Sequence, residues 1–148
     1  MIHGPNLNLL GEREPEIYGS QTLPELNRAI QQFAEERSLE VKFFQSNHEG
    51  AIIDALQSER HWAEGIVINP GALTHYSYAL RDAIASIRLP AIEVHLSDMD
   101  HREEFRRISV IAPACLAQVS GKGHQSYLVA IDRLLTEAKG LDFDRCVR

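Results

Sequence analysis

The sequence predicts a doubly wound α/β fold, in which five parallel strands and their helices form a single three-layer α/β/α domain over residues 1–148. Short apolar runs alternate along the chain with stretches whose apolar residues recur at helical spacing. Apolar strands of this kind suit a parallel sheet that helices cover on both faces. Right-handed crossovers between such strands produce the doubly wound arrangement. No repeat, linker or low-complexity segment divides the sequence, so we expect one domain.

The amino-terminal part of the chain contains the first strand and the first helix. Only Met1 and Ile2 precede the polar run that begins at His3. Either the first strand is very short, or the natural chain starts further upstream. Residues 22–37 carry apolar side chains at helical spacing, and Thr22 with Glu25 forms a capping box. We therefore expect an amphipathic helix there.

The remaining elements follow from the same periodicities and from Gly or Pro at their ends. Strands are predicted at residues 39–44, 65–69, 91–96 and, with a less regular pattern, 116–119. Helices are predicted at 50–60, 78–87 and 124–138, with one short helical stretch at 102–107. The tail, residues 140–148, has little periodicity, and we expect it to be weakly ordered.

The composition excludes several classes of protein. A net charge of -6 and a pI of about 5.6 argue against a nucleic-acid binder with a broad basic face. No apolar run approaches the roughly 18 residues that cross a bilayer, and no signal-peptide pattern opens the chain. The cysteines, Cys115 and Cys146, form no disulfide framework or metal-binding pattern. We expect a cytoplasmic protein that needs neither membrane nor nucleic acid.

Polar residues cluster directly after the predicted strands. They occupy residues 3–8, 45–50, 69–75 and 93–97. The carboxyl ends of parallel strands line one crevice in open α/β sheets, and ligands bind there. The topology therefore predicts one small-molecule site that all these clusters share.

A polar loop at residues 9–19 contains Gly11 and ends at Gly19, as expected of a hinged lid. It carries Arg13 and Tyr18. A tyrosine, with a reference pKa near 10, acts as a base only where a cation favours its phenolate. An arginine of the same loop, or one that closes over the tyrosine, could supply that cation.

Other candidates belong to the fourth strand and the segment after it. Glu93, His95 and Ser97 share one face of the strand by its two-residue period. Arg102 and Arg106 are four residues apart, which would place two cations on one helical face. A histidine at a strand end is often only structural, and the arginines could form solvated ion pairs. Asn6 and Asn69 could cap turns beside Pro5 and Pro70 while also serving the site.

Four motifs resemble those of type II dehydroquinases, the 3-dehydroquinate dehydratases of the shikimate route. They are HGPNLNLLGEREPEIYG (3–19), QSNHEG (45–50), INPGALTH (68–75) and EVHLSDMDHREEFR (93–106). The resemblance spans about residues 1–138 and implies a flavodoxin-like fold and a homododecamer built as a tetramer of trimers. It also implies dehydration of 3-dehydroquinate to 3-dehydroshikimate by anti β-elimination through an enolate, without a Schiff base.

The resemblance further implies a role for each matching residue. Tyr18 would be the catalytic base, Arg13 would be a required residue of the lid, and Arg102 would be the cation near the base. His95 would be the general acid, and Glu93 would orient it. Asn6 would hold a water that stabilises the enolate oxygen. Among substrate-binding residues, Asn69 and the amides of Leu96 and Ser97 would hold the carboxylate, His75 and Arg106 the hydroxyls, and Asp82 would reach the neighbouring subunit's site.

A β-elimination needs a base, an acid and a stabiliser for the enolate, which side chains can provide. The sequence has no H-E-x-x-H pattern or metal-ligand spacing, so we expect neither metal nor cofactor. Asp98 stands where the family commonly has Asn. Two other functions are weighed: a non-catalytic binding module on this scaffold, and an FMN protein, for which the first loop lacks a hydroxyl-rich phosphate site.

Overall fold

The structure, a computed structural model, describes residues 1–12, 20–98 and 103–138. Most of the predicted lid, the segment 99–102 and the tail from residue 139 lie outside these ranges. The expectations for the lid and the tail therefore stay predictions. Within the described ranges, no helix is long and apolar enough to cross a membrane.

The described residues contain one sheet, whose five strands all run parallel. The strands are β1 (Ile2–His3), β2 (Phe44–Gln45), β3 (Ile66–Asn69), β4 (Ala91–Val94) and β5 (Ala117–Val119). Their spatial order is β2-β1-β3-β4-β5, which is the order of flavodoxin-like doubly wound sheets. The predicted fold class is confirmed.

The α-helices of the described chain lie between these strands and after the last one. They are α1 (Leu23–Glu35), α2 (Glu49–Glu59), α3 (Tyr78–Ile87) and α4 (Gln125–Ala138). The predicted capping box begins α1: the Glu25 amide donates to Thr22 Oγ1 at 3.4 Å, and the Thr22 amide donates to Glu25 Oε2 at 2.8 Å. The sequence prediction for this helix start is confirmed.

The strand predicted at residues 39–44 is much shorter in the structure, where β2 contains only Phe44 and Gln45. β2 is short because the neighbouring strand β1 has only two residues. β1 consists of Ile2 and His3, which pair with Phe44 and Gln45, so the ladder begins only where β1 begins. Before it, the amino group of Met1 donates to Lys42 O at 2.8 Å. Leu39, Val41 and Phe43 still pack against the core.

The apolar core has two parts, one on each face of the sheet. Alternate residues of β3 separate the faces: Val67 packs with α1 and α4, whereas Ile66 and Ile68 pack with α2 and α3. In β4, Ile92 and Val94 join the α1/α4 part, and Ala91 joins the other. The same alternation directs Glu93 to the α2/α3 face and Asn69 to the α1/α4 face.

Candidate active site

The loops after β1, β2 and β3 contact one another at the carboxyl end of the sheet. The Gly4 amide donates to Asn69 O at 2.8 Å, and the Asn6 amide donates to Asn47 Oδ1 at 2.9 Å. A Cβ atom on Gly4 would lie 2.5 Å from Pro70 O, so only glycine permits this approach. Polar clusters distant in sequence thus meet at one end of the sheet.

Glu93 is fully buried in β4 and accepts hydrogen bonds from several side chains. His95 Nε2 lies 2.7 Å from Glu93 Oε1, and Ser109 Oγ lies 3.0 Å from Oε1 and 2.9 Å from Oε2. Thr74 Oγ1 also donates to Oε1. Burial by itself would raise the pKa of Glu93, but these partners together hold it below its usual value. We call Glu93, His95, Thr74 and Ser109 the Glu93 cluster.

Ser109 is further fixed by the backbone that follows it. Its Oγ accepts hydrogen bonds from the amides of Ile111 at 3.1 Å and Ala112 at 2.8 Å. The Val110 amide donates to Thr74 O at 2.8 Å, which ties this segment to the 3-10 helix Gly71–His75. Sequence reasoning missed both Thr74 and Ser109. A signal was available, because a buried carboxylate such as Glu93 requires donors from elsewhere in the chain.

His75 and Arg106 meet through the ring of Phe105. The rings of His75 and Phe105 lie 5.8 Å apart edge to face, and the Arg106 guanidinium lies 4.7 Å from the Phe105 centroid. His75 Nδ1 is 2.8 Å from Ile108 O, and Arg106 Nε is 3.0 Å from Glu103 Oε2. The two predicted substrate-binding residues are therefore brought close together.

The helical stretch predicted at residues 102–107 is confirmed only in its second part. The described part is a 3-10 helix, Glu104–Arg107, of four residues. Glu103 has extended backbone with a ψ of 150°, so the helix does not continue back towards residue 102. Arg102 lies outside the described residues, so the expectation that Arg102 and Arg106 share one helical face stays a prediction.

Asn69 belongs to a second set of buried polar side chains, on the α1/α4 face. Its Oδ1 accepts the Gly71 amide at 3.2 Å, which confirms the predicted turn-capping role. Its side chain also hydrogen-bonds the Tyr127 hydroxyl. His3 Nδ1 lies 3.1 Å from that hydroxyl, and His3 Nε2 lies 2.8 Å from Asn27 Oδ1. We call His3, Asn27, Tyr127 and Asn69 the His3 cluster.

The other described candidates lie around these two clusters. Asn6 is exposed in the turn after β1, with a left-handed φ of 68°. Leu96 is buried and Ser97 is half-buried, directly after β4 and His95. Asp82 is exposed on α3. Thus Asp82 is available at the surface, whereas Leu96 and Ser97 border the Glu93 cluster.

Three predicted catalytic residues, Arg13, Tyr18 and Arg102, lie outside the described residues. Within the described part of the chain, no group of three or more His, Cys, Asp or Glu side chains could hold a metal ion. A cavity of about 520 Å³ lies by the amino ends of β1 and β3, lined among others by Met1, Lys42, Trp62 and Gly65. None of its lining residues is a predicted site residue.

Comparison with known proteins identifies the family. The model of the family described as dehydroquinase class II matches residues 1–135. The chain belongs to the class II dehydroquinases. It is 55% identical to the 3-dehydroquinate dehydratase of Bacillus pumilus, over 93% of each chain. It is 57% identical to that of Dictyoglomus turgidum, over 90% of this chain and 92% of the relative.

Solved structures of class II dehydroquinases have the same fold. The type II dehydroquinase of Butyrivibrio crossotus superposes with a TM-score of 0.89 at 51% identity, covering 90% of this chain and 94% of that one. The type II dehydroquinase of Propionibacterium acnes gives a TM-score of 0.87 at 36% identity. The resemblance that the four motifs indicated is therefore confirmed at the level of family and fold.

Proposed function

We propose that this protein is a 3-dehydroquinate dehydratase that forms 3-dehydroshikimate by anti β-elimination through an enolate. The observation that carries the proposal is the buried Glu93–His95 pair, joined at 2.7 Å at the carboxyl end of β4. A histidine held by a carboxylate is suited to proton transfer. Membership of the class II dehydroquinases, whose close relatives are named for this reaction, supplies the substrate.

In the proposed reaction, Tyr18 removes the proton next to the ketone, and electrons move into the carbonyl to form an enolate. Arg13 on the lid and Arg102 near the base favour the tyrosinate. Asn6 holds the water that stabilises the enolate oxygen. The enolate then collapses and expels the hydroxyl group, which takes a proton from His95 and leaves as water. Side chains alone supply these steps, with neither metal nor cofactor.

The proton that His95 delivers would come from Nδ1 of the imidazolium form, which carries a hydrogen on each ring nitrogen and becomes neutral when Nδ1 gives its proton to the departing hydroxyl. An ionised carboxylate can only accept hydrogen bonds, so the 2.7 Å contact with Glu93 requires a hydrogen on His95 Nε2. Nδ1 is the ring nitrogen that remains for the substrate. Glu93 would thereby fix the orientation of the ring, as a carboxylate partner of a catalytic histidine generally does.

The substrate carboxylate would be held by Asn69 and the amides of Leu96 and Ser97, and the ring hydroxyls by His75 and Arg106. Support comes from the positions of these residues, since Asn69 ends β3, Leu96 and Ser97 follow β4, and Phe105 joins His75 to Arg106. Polar groups at neighbouring strand ends can bind a small ring at several points.

We further propose a cytoplasmic homododecamer, a tetramer of trimers, in which residues 1–148 form one domain and residues 9–19 close over the site. Large exposed side chains support an assembly: Tyr76 is 62% exposed, Tyr78 60%, Phe105 56% and Ile108 63%. Large apolar side chains that remain exposed in the single chain are the kind of surface that a partner subunit covers. Exposed Asp82, on α3 with Tyr78, would reach the neighbouring subunit's site. The reaction would serve aromatic amino-acid biosynthesis or quinate breakdown.

The test is to mix the purified protein with 3-dehydroquinate and follow the ultraviolet absorbance of the conjugated enone product. Sizing chromatography beforehand establishes that the sample is assembled. We expect turnover by the wild type and none by Tyr18→Phe, which lacks the base but keeps the ring. Borohydride should trap no imine.

Absence of turnover by assembled wild-type protein would refute the dehydratase. Comparable turnover by Tyr18→Phe would show that another group is the base. A covalent borohydride adduct would indicate a lysine mechanism.

A further inference from the structure

We propose that Ser109, supported by Thr74, is a positioning residue for the proton donor: it fixes the Glu93 carboxylate and, through it, the His95 ring. The inference rests on the proposed dehydration and adds to it two residues that contact the carboxylate. Neither residue needs to touch the substrate.

Ser109 is placed to hold both oxygens of the Glu93 carboxylate. Its Oγ lies 2.9 Å from Oε2 and 3.0 Å from Oε1, whereas His95 Nε2 contacts Oε1. A carboxylate held at one oxygen can rotate about its last bond, and one held at both cannot. Ser109 therefore determines the plane of the carboxylate and the direction in which Glu93 holds His95.

The backbone determines which way the Ser109 hydroxyl points. The amides of Ile111 and Ala112 donate to Ser109 Oγ at 3.1 and 2.8 Å and so occupy its acceptor sites. The single hydroxyl hydrogen is then left for the carboxylate. Ser109 is a fixed donor that cannot reverse its hydrogen bond. Thr74 Oγ1 lies 2.9 Å from Ser109 Oγ, but the acceptor sites of that oxygen are taken by the two amides, so the Thr74 hydrogen is left for Glu93.

Two further backbone contacts hold Ser109 in register with the end of β3. On one side of it, Ile108 O lies 2.8 Å from His75 Nδ1, and on the other the Val110 amide donates to Thr74 O at 2.8 Å. The segment that carries Ser109 thus contacts both the 3-10 helix after β3 and the end of β4. It joins the proposed hydroxyl-binding residue His75 to the proposed acid His95.

The test compares Ser109→Ala, Ser109→Thr and a matched control, Ser77→Ala. Ser77 is a buried serine that caps α3 by accepting the Leu80 amide at 3.0 Å and donates to the carboxylate of Glu49, so it has the same two kinds of partner. We expect Ser109→Ala to lower kcat about 10- to 100-fold, the effect of losing a hydrogen bond to a charged group. KM should stay within about twofold, because no substrate contact is removed.

Ser109→Thr, which keeps the hydroxyl, should recover most of the lost kcat, and Ser77→Ala should turn over like the wild type. The positioning role is refuted if Ser109→Ala keeps the wild-type kcat, or if KM rises as much as kcat falls. An equal loss in Ser77→Ala would refute it too, because the cause would then be general loosening of the fold.

A readout that does not depend on turnover separates this inference from the proposed function. In protein labelled with nitrogen-15 histidine, the His95 Nε2 proton should exchange slowly in the wild type and in Ser77→Ala. It should exchange faster in Ser109→Ala. An inactive wild type with this exchange pattern would refute the dehydratase and leave the positioning of His95 standing. Equal exchange in all three proteins would refute the positioning.

Discussion

The Glu93 cluster and the His3 cluster are largely buried groups of polar side chains at the same end of the sheet, on opposite faces. Both contain a histidine that lies in a β-strand or directly after one, and the two clusters differ in charge. Burial lowers the pKa of His3 to about 4, and its two partners, Asn27 and Tyr127, are neutral. Glu93 instead keeps its charge, because donors surround it. Burial of the Cys115 thiol and the nearby negative charge of Glu93 together raise the pKa of Cys115 to about 12.

The partners of the two ring nitrogens distinguish the structural histidine from the candidate catalytic one. His3 has both ring nitrogens occupied by neutral partners that bridge α1 and α4, so no nitrogen remains for a ligand. His95 has Nε2 held by a carboxylate, with Nδ1 left for a substrate. We therefore expect changes in the His3 cluster to act on stability and changes in the Glu93 cluster to act on kcat.

The largest effect should follow from Glu93→Gln. The amide keeps the size of the side chain but loses the charge and replaces an accepting oxygen with a donating nitrogen, so His95 loses its fixed orientation. We expect kcat to fall about 10²- to 10⁴-fold, the usual contribution of general acid–base catalysis. The measurement is the initial rate of enone formation at saturating substrate.

Glu49→Gln is the control for Glu93→Gln, since Glu49 also accepts a hydrogen bond from a buried serine, Ser77. It should retain wild-type kcat. Wild-type kcat in Glu93→Gln would remove the functional distinction between the two clusters.

Acidification should destabilise the protein through the His3 cluster. The His3 pKa is 6.5 for the unfolded reference and about 4 when folded. Between these values the unfolded chain binds a proton that the folded chain does not, so stability falls as the pH drops through this window. The loss reaches up to about 3 kcal/mol. Glu93, whose pKa is lowered, contributes its own loss only below its ordinary value of 4.5.

Urea unfolding at about pH 7 and about pH 4.5 measures this dependence. His3→Asn provides the comparison, because it cannot titrate and all other ionisable groups remain. The wild type should lose more stability than the variant over this interval. Equal losses would mean that His3 is not the group responsible.

The smallest effect should come from Tyr127→Phe. Removing the hydroxyl leaves His3 Nδ1 without its partner, so the free energy of unfolding should fall by about 1–2 kcal/mol. We expect kcat to stay within about threefold. Any change should fall on KM, because Asn69 contacts the lost hydroxyl.

The control for Tyr127→Phe is Ile131→Val, which removes a buried methylene from the same helix and no hydrogen bond, at a cost of about 0.5–1.5 kcal/mol. Thermal unfolding and kcat are measured for both variants. A loss of kcat confined to Tyr127→Phe would assign the His3 cluster a catalytic role.

Local patterns predicted the parts of the molecule that depend on neighbours in sequence. The capping box of Thr22 and Glu25 and the shared face of Glu93 and His95 follow from fixed spacings, and both are confirmed by the structure. The length of β2 could not be predicted in this way, because it depends on where its partner β1 begins.

Contacts between distant segments could not be predicted from the sequence for the same reason. Ser109 reaches Glu93 from an irregular segment, 16 residues away, and no period relates the two positions. The helix expected at 102–107 begins only at Glu104 in the structure, because Glu103 adopts an extended backbone. Residues whose roles depend on tertiary contacts can therefore be identified only from the structure.

The central claim is that the Glu93 cluster serves the reaction and the His3 cluster serves the fold. The most direct test is to measure kcat for Glu93→Gln and Tyr127→Phe side by side, each relative to the wild type. The account predicts a loss at least about thirtyfold larger in Glu93→Gln, given the usual size of acid–base catalysis. Equal losses of kcat in the two variants would contradict it.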